Sequence, residues 1–388
     1  MKPKKICAFS GKRGGFGAYV PLMRAIEADP DLELMILLGD MHLAAEFGAT
    51  VREAENLFPA RAIHRIEMGA GRGGSALVRA ENLGRCMSEA ARLLERERPD
   101  IVMVHADRAE HLIVALAAVT LGIAVTHTQG GEVSGNIDDI QRHAITKLAH
   151  VHFAETEEAA SRIRALGEES WRVHAVGSLY IDRILRQMYT PPGEAAGRYG
   201  IGPGERYGIL ILHPDTFLGA SENREVAERV CAAAIASGHT WIAVYPCSDP
   251  GYDEIIEVLE QRRGHPRFRL FPNIENFDFL GLMAGAEVML GNSSAAFVEA
   301  PYFRLPALNI GARQQGRDRE ANVRDVPLAV PAIREAIEFV GRDPGFRAAL
   351  ASCGRRYGDG RASNRVLEIV KALELNETLF RKRLVIGR

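Results

Sequence analysis

The chain has 388 residues, 47% of them hydrophobic and 25% charged, enough apolar material for two cores of ordinary domain size. A formal net charge of -2 gives no electrostatic case for a nucleic-acid partner or an acidic membrane surface. The five cysteines are scattered without a C-x-x-C pair, and no apolar run reaches membrane-span length, so we expect a cytoplasmic protein with idle thiols, no signal peptide and no metal.

Short apolar runs alternate with helical patterns along the chain. Strands are expected at Ile6–Ser10, Leu32–Gly39, Ile101–Ala106, Ile123–Thr128, Val151–Glu155 and Val173–Gly177. Helices are expected between them, at Tyr19–Ala28, Ser75–Arg98, Glu110–Leu121 and Glu157–Leu166. Near-continuous apolar strands separated by helices predict a parallel sheet covered on both faces. Pro191-Pro192-Gly193 and Gly202-Pro203-Gly204 read as a linker. The pattern then restarts at Tyr207–Pro214, Trp241–Pro246, Arg267–Pro272, Ala286–Asn292 and Pro306–Gly311. The fold class is therefore α/β, with two Rossmann-like domains facing a cleft, 1–185 and 186–364. A last helical pattern, Ser363–Leu384, is expected to pack back onto the first domain, adding residues from about 365 to 388.

Charged motifs follow the strands, where ligands of such sheets sit. SGKRGGFG (Ser10–Gly17) puts four glycines and Arg13 ahead of a helix, suited to an anion or to a plain flexible turn. His42, in the loop after the second strand, carries no expectation of its own. Asp107 and Arg108 end the strand Ile101–Ala106, and Glu132 follows Gly130-Gly131 after Ile123–Thr128. A helix is expected from Asp138, with Arg142 four residues on and able to meet it on one face, and His143 beside it. Capping accounts for Asp138 and Asp139. It does not account for Glu132 behind two glycines beside Asp107. Three carboxylates in one cleft raise each other's pKa and divide acid from base. In the second block, His213 (HPDT) ends the first strand, as an acid–base or phosphate ligand or a hydrogen-bonded strand-end histidine. Ser293 and Ser294 (GNSS) open a helix as phosphate ligands or as an ordinary cap, with Glu299 one to two turns inside it. Arg313, Arg317 and Arg319 share a glycine-containing loop that suits an anion or solvent. Phosphate-binding elements in one domain and carboxylates in the other suit a phosphate-activated, polyol-like substrate.

Taken in order, these motifs resemble the UDP-N-acetylglucosamine 2-epimerase family, specifically its hydrolysing branch. The resemblance spans nearly the whole chain. It rests on Arg13, GDMHL, Asp107-Arg108, GGE ending at Glu132, D-D-x-x-R-H-A-I-T-K from Asp138 to Lys147, HPDT, GNSS, E-A-P from Glu299, and NIG-x-R-Q-x-G-R from Asn309 to Arg317. It implies a glycosyltransferase-B-like fold and a UDP- or GDP-linked 2-acetamido sugar as substrate. The implied reaction is inversion at carbon 2 through a glycal, releasing free sugar and nucleoside diphosphate with no cofactor. It further implies Asp107, Glu132 and Asp138 as acid–base carboxylates and His213 near the leaving group. Arg13, Ser293 and Ser294 are placed on phosphates, Glu299 on the ribose and Arg313 on the nucleotide or diphosphate. Arg142 and His143 belong to the substrate-binding set, and a homodimer or homotetramer is expected.

The chain departs from the family pattern at Gly14-Gly15-Phe16, His105-Ala106, Gln129, Asp215 and Ala295, and is one residue short between Glu132 and Asp138. Those departures leave the sugar and the base open. A non-hydrolysing epimerase, a glycosyltransferase of the same fold and a silent nucleotide-sugar-binding protein are the competing readings; the intact carboxylates argue against the last.

Overall fold

The structure, a computed structural model, describes residues 2–69, 75–134 and 137–386. Its first sheet contains β1 (Lys4–Ser10), β2 (Leu32–Leu38), β3 (Ile63–Arg65), β4 (Ile101–His105), β5 (Ala124–Thr128), β6 (Val151–Ala154) and β7 (Val173–Ala175). Their order is β3-β2-β1-β4-β5-β6-β7. The second sheet contains β8 (Tyr207–Ile211), β9 (Thr240–Val244), β10 (Phe268–Phe271), β11 (Val288–Gly291), β12 (Ala307–Ile310) and β13 (Val323–Val326), in the order β10-β9-β8-β11-β12-β13. Every pairing is parallel.

The strands read as unbroken apolar runs because both faces of each sheet are covered. In β1, Ile6 and Ala8 pack into a core with Phe16, Tyr19 and Val366. Cys7 and Phe9 point the other way, into a core with Cys86 and Val114. All five cysteines are buried and free.

The strand order fixes where a ligand can sit. In each sheet the chain lays down strands in one direction and then jumps back across its first strand, so β1/β4 and β8/β11 are the switch points. The crevices beyond their carboxyl ends are the binding positions of such folds. Ser10–Arg13 and Asp107 follow β1 and β4. His213 and Ser293 follow β8 and β11.

The carboxyl-terminal helical pattern does return to the first domain. The helix Ala362–Ala372 packs on the helix Arg13–Ala28, with Val366 and Val370 in the core. Asp182 caps its start, accepting from the N–H groups of Ala362 (2.9 Å) and Ser363 (2.7 Å). Lys4 Nζ donates to the carbonyls of Val370, Lys371 and Leu373 at its end, where a cation is favoured. The helix stops at Ala372 instead of running to Leu384. A new short helix, Glu377–Phe380, starts where the Asn376 side chain accepts from Leu379 N–H (3.1 Å), the cap that Asn prefers over a helix interior.

Three other expectations change. Pro191–Gly193 opens a helix, Pro192–Arg198, with proline at its first position, where its missing N–H is not needed. Strands β3 and β13 were not anticipated; both are short sheet edges whose sequences, IHR and VRDV, are half polar. The glycines of SGKRGGFG form no turn, because the helix begins at Arg13. A side chain at Gly15 would meet the His105 ring at 3.2 Å, so the glycines let this helix press against the end of β4.

Candidate active site

The two switch points face each other across a cleft with roughly 1090 Å³ of open space. Lys12, Arg13, Arg108, Asp138 and Tyr180 line it from the first domain. His213, Ser293, Ser294, Glu299 and Arg313 line it from the second, with an apolar stretch from Ile274, Phe279 and Leu280. An apolar stretch with convergent polar groups around it suits a small ligand.

The carboxylate side is built by two backbone kinks. Ala106 (φ 62°) and Gln129 (φ 63°), at the ends of adjacent strands β4 and β5, both adopt the left-handed conformation. That conformation costs a side-chain-bearing residue about 1 kcal/mol. The kinks are held in register, since Ala106 N–H donates to Thr128 O and Gln129 N–H to Phe153 O. Gly131 (φ 75°) then passes so close to the Ala159 carbonyl that any Cβ would strike it. Asp107 directly follows the first kink and Glu132 directly follows Gly131.

Arg142, fully buried on the helix Asp138–Leu148, ties the group together. It donates to Asp107, to Asp139 Oδ1 (2.6 Å) and to the backbone carbonyl of Glu132 (2.9 Å). The ion pairs of Arg142 are with Asp139 on its own helix and with Asp107 on a different element. Burial would raise the pKa of Asp107, but Arg142, aided by Lys12, overrides it and holds the carboxylate well below its usual range. Glu132 is 1% exposed, and neither carboxylate oxygen has a hydrogen-bond partner among the described residues; burial pushes its pKa up against the pull of Arg317 and Arg142. Asp138 is pushed up to about 6 by burial and by Asp107, with Arg313 opposing. One permanently charged carboxylate beside two reluctant ones is the division that acid–base chemistry needs. Asp138 lines the cleft, whereas Asp107 and Glu132 lie beyond the lining. His143 is half-buried and does not line the cleft; burial lowers its pKa against the pull of Asp139. Gly135 and Asn136, where the shortening of the motif falls, lie outside the described residues.

In the second domain Asn292 fastens two motifs together. Its side chain accepts from His213 N–H (2.7 Å) and donates to His213 O (2.8 Å). His213 Nδ1 accepts from Cys247 N–H (3.1 Å). Burial keeps the imidazole neutral, its pKa well below the ordinary value. That bond assigns the proton to Nε2, so His213 is a hydrogen-bond donor toward a ligand and not a cation. Ser293 and Ser294 lie beside it, but the helix they open is only Ala295–Val298, four residues. Glu299 therefore sits at the junction with the 3-10 turn Ala300–Phe303, not inside a long helix. Burial pushes its pKa up to about 7 against Arg183 and Lys12.

Arg313 joins the two sides. It reaches Asn292 O (3.4 Å), Asp249 (3.7 Å) and, across the cleft, Asp138 (3.4 Å). Arg108 crosses in the other direction to Asp249 and Ser248. Of the other loop arginines, Arg317 is buried against Gln314 (2.8 Å), while Arg319 pairs with Asp325 outside the cleft.

Arg13 lines the cleft, yet its guanidinium donates to the carbonyls of Pro272 and Tyr245. These bonds bridge the two domains. Its neighbour Lys12 has no ion-pair partner among the described residues, and its charge bears on Asp107, Glu299 and His213. Sequence reading passed over Lys12, although its position between strand and helix was the signal. Asp249, after β9, was also missed. Cys247 lines the cleft, but burial pushes its thiol up to about 12, so it is no nucleophile at neutral pH.

Glu299→Gln should raise thermal stability at pH 8 while weakening nucleotide binding. The folded carboxyl holds its proton more tightly than the unfolded one, so its ionisation destabilises the fold above pH 7, on the order of 2–3 kcal/mol. The gain should fade as pH falls through 7 and vanish below about 4.5; melting curves across that range check it.

A family model described as UDP-N-acetylglucosamine 2-epimerase matches residues 24–371. The chain is 32% identical over 380 residues, 98% of each chain, to the UDP-N,N'-diacetylbacillosamine 2-epimerase (hydrolyzing) of Legionella pneumophila. It is 30% identical, over 84% of this chain and 85% of the relative, to the GDP/UDP-N,N'-diacetylbacillosamine 2-epimerase (hydrolyzing) of Campylobacter jejuni. In fold it is similar to the UDP-GlcNAc 2-epimerase of Methanocaldococcus jannaschii solved with UDP-GlcNAc and UDP, with a TM-score of 0.77 at 19% identity, covering 95% of this chain and 99% of that one.

Proposed function

The chain belongs to the UDP-N-acetylglucosamine 2-epimerase family, and from that premise we propose that it is a hydrolysing nucleotide-sugar 2-epimerase acting on a UDP- or GDP-linked 2-acetamido sugar, in sialic-acid-like sugar biosynthesis. The observation that carries this reading is the contact of Arg313 with Asp138 across the cleft. It puts a cation of the phosphate side against a carboxylate of the acid–base side, as required when the bond to the diphosphate and the proton next to it are lost together.

In this reading Lys12, His213, Ser293, Ser294 and Arg313 hold the diphosphate, and Glu299 takes the ribose. The base lies on the apolar stretch of Ile274, Phe279 and Leu280. A carboxylate removes the proton at carbon 2. The electron pair forms the carbon 1–carbon 2 double bond as the carbon 1–oxygen bond breaks, and the diphosphate leaves with that bond's electrons. Positive charge and N–H donors stabilise the departing group. Water then adds its oxygen to carbon 1, and carbon 2 receives a proton on the opposite face. Glu132 and Asp138, with raised pKa values, are suited to exchange protons near neutrality. Asp107 supplies a fixed charge that orients Arg142. The protein is proposed to work in the cytoplasm as a homo-oligomer; no described helix is long and apolar enough to cross a membrane.

The test is incubation with UDP- and GDP-linked 2-acetamido sugars in deuterated water, followed by NMR. Free 2-epimer with deuterium at carbon 2 is the expected product. Return of epimerised nucleotide sugar identifies the non-hydrolysing reaction, and absence of turnover with every donor overturns the reading. Lys12→Met should weaken UDP binding roughly 10- to 100-fold, the worth of a charged hydrogen bond. It should also flatten the salt dependence of the dissociation constant, as titration calorimetry at two ionic strengths would show.

A further inference from the structure

Arg183 is a buried cation that the proposed reaction leaves unused. It lies on the helix Leu179–Leu185 of the first domain, 3% exposed, and lines the cleft. Its guanidinium is stacked on the Phe277 ring, 4.4 Å from the centroid. It has no hydrogen-bond or ion-pair partner among the described residues, and Nε and Nη2 are sealed from solvent. A desolvated guanidinium without acceptors is costly. Burial lowers its pKa only to about 10, so it stays charged at neutral pH.

Two surroundings indicate what it waits for. Glu299 faces the same cleft from the second domain and is the largest influence favouring the Arg183 charge, yet no ion pair joins them. The helix Arg13–Ala28 also makes room for the guanidinium. A Cβ at Gly17 would come within 2.5 Å of Arg183 Nη1 and would strike Asn276 Oδ1. A separated acid and base invite a group that donates to one while accepting from the other. A hydroxyl does both with a single oxygen.

We propose that Arg183 is a substrate ligand that clamps the ribose diol together with Glu299: a ribose hydroxyl donates its proton to the Glu299 carboxylate and accepts a hydrogen bond from the Arg183 guanidinium. This rests on the reading of the cleft as a nucleotide site with Glu299 on the ribose side. Since Arg183 comes from one domain and Glu299 from the other, the ribose itself would fasten the domains together. A nucleobase carbonyl could use the same donors, and the experiment separates the two.

Titration calorimetry with wild type, Arg183→Gln and Gly17→Ala would use UDP, 2′,3′-dideoxy-UDP, CDP and inorganic pyrophosphate. Arg183→Gln should weaken UDP and CDP alike, roughly 10- to 100-fold, change dideoxy-UDP less than about threefold and leave pyrophosphate unchanged. Gly17→Ala, which suits a helix, should give the same pattern to a smaller extent by displacing the guanidinium. Equal loss for UDP and dideoxy-UDP would overturn the proposal, as would no loss at all. A changed ratio of UDP to CDP affinity would overturn it in favour of a base carbonyl. Equal loss for pyrophosphate would show a merely structural role. If wild type binds no UDP, the nucleotide reading itself fails and takes the clamp with it; if it does bind, the variant results bear on Arg183 alone.

Discussion

Glu132→Gln should abolish sugar release while UDP still binds. The amide has the shape of the carboxyl but cannot take up or give back a proton at neutral pH. Loss of one positioned acid–base group is worth about 10²- to 10⁴-fold in turnover. Glu132 touches none of the groups that line the nucleotide side, so the dissociation constant for UDP should stay within about threefold of wild type. The variant should also be no less stable. Both carboxylate oxygens are buried without partners among the described residues and burial raises the pKa, so the ionised side chain opposes folding at neutral pH and a neutral amide relieves that. Calorimetry, a melting curve at pH 8 and the NMR assay read the three quantities separately. Unchanged turnover would remove Glu132 from the mechanism.

The second large effect is expected at Arg142. Arg142→Leu leaves Asp107 buried without its counter-charge, and leaves Asp139 and the Glu132 carbonyl without a donor. Breaking one side of a buried pair typically costs about 3–5 kcal/mol. The sign of its pH dependence follows from Asp107. In the wild type the depressed pKa contributes stability above the unfolded value of about 3.9, and that contribution is lost as pH falls further. In the variant burial is opposed only by Lys12, Arg317 and Arg108, so the depression of the pKa, and the stability it contributes, is reduced. The stability deficit should be full above about pH 4 and shrink as pH falls below it, as urea unfolding followed into that acid range would show. Lysine should rescue poorly, because a single ammonium cannot reproduce the fork that reaches three acceptors on three segments.

How far the sequence carried the reading differs by residue, and for physical reasons. Strands such as Ile6–Ser10 and Tyr207–Ile211 were legible because burial on both faces leaves an unbroken apolar run. Strands β3 and β13 were not, since an edge strand is half solvated and IHR or VRDV looks like loop. Asp107, Glu132 and Asp138 were singled out from their places at strand and helix ends; in the structure Arg142 bonds Asp107 and the Glu132 backbone carbonyl, while Asp138 lines the cleft opposite Arg313. The loops of SGKRGGFG and the first prolines misled, because glycine and proline signal breaks in general but here serve close packing and a helix start. Lys12, Asp249 and Arg183 were not singled out. Their importance comes from what faces them across the cleft, and no local spacing records that. The same holds for Arg13: its identity suggested a phosphate, and only the position of Pro272 and Tyr245 shows that carbonyls claim it.

The return of the helix Ala362–Ala372 to the first sheet has a consequence for biosynthesis. A ribosome makes the strands of the first sheet first, yet Val366, Val370 and Leu379 of its core emerge only after the whole second sheet has been translated. Domains usually fold in the order they are made, at roughly 5–20 residues per second. Here the later, contiguous domain can close its core while the earlier one still lacks an outer wall. For at least the roughly ten seconds or more needed to synthesise residues 186–361, the apolar face of the helix Arg13–Ala28 has no native cover, which makes that interval the period when the nascent chain most needs protection from aggregation.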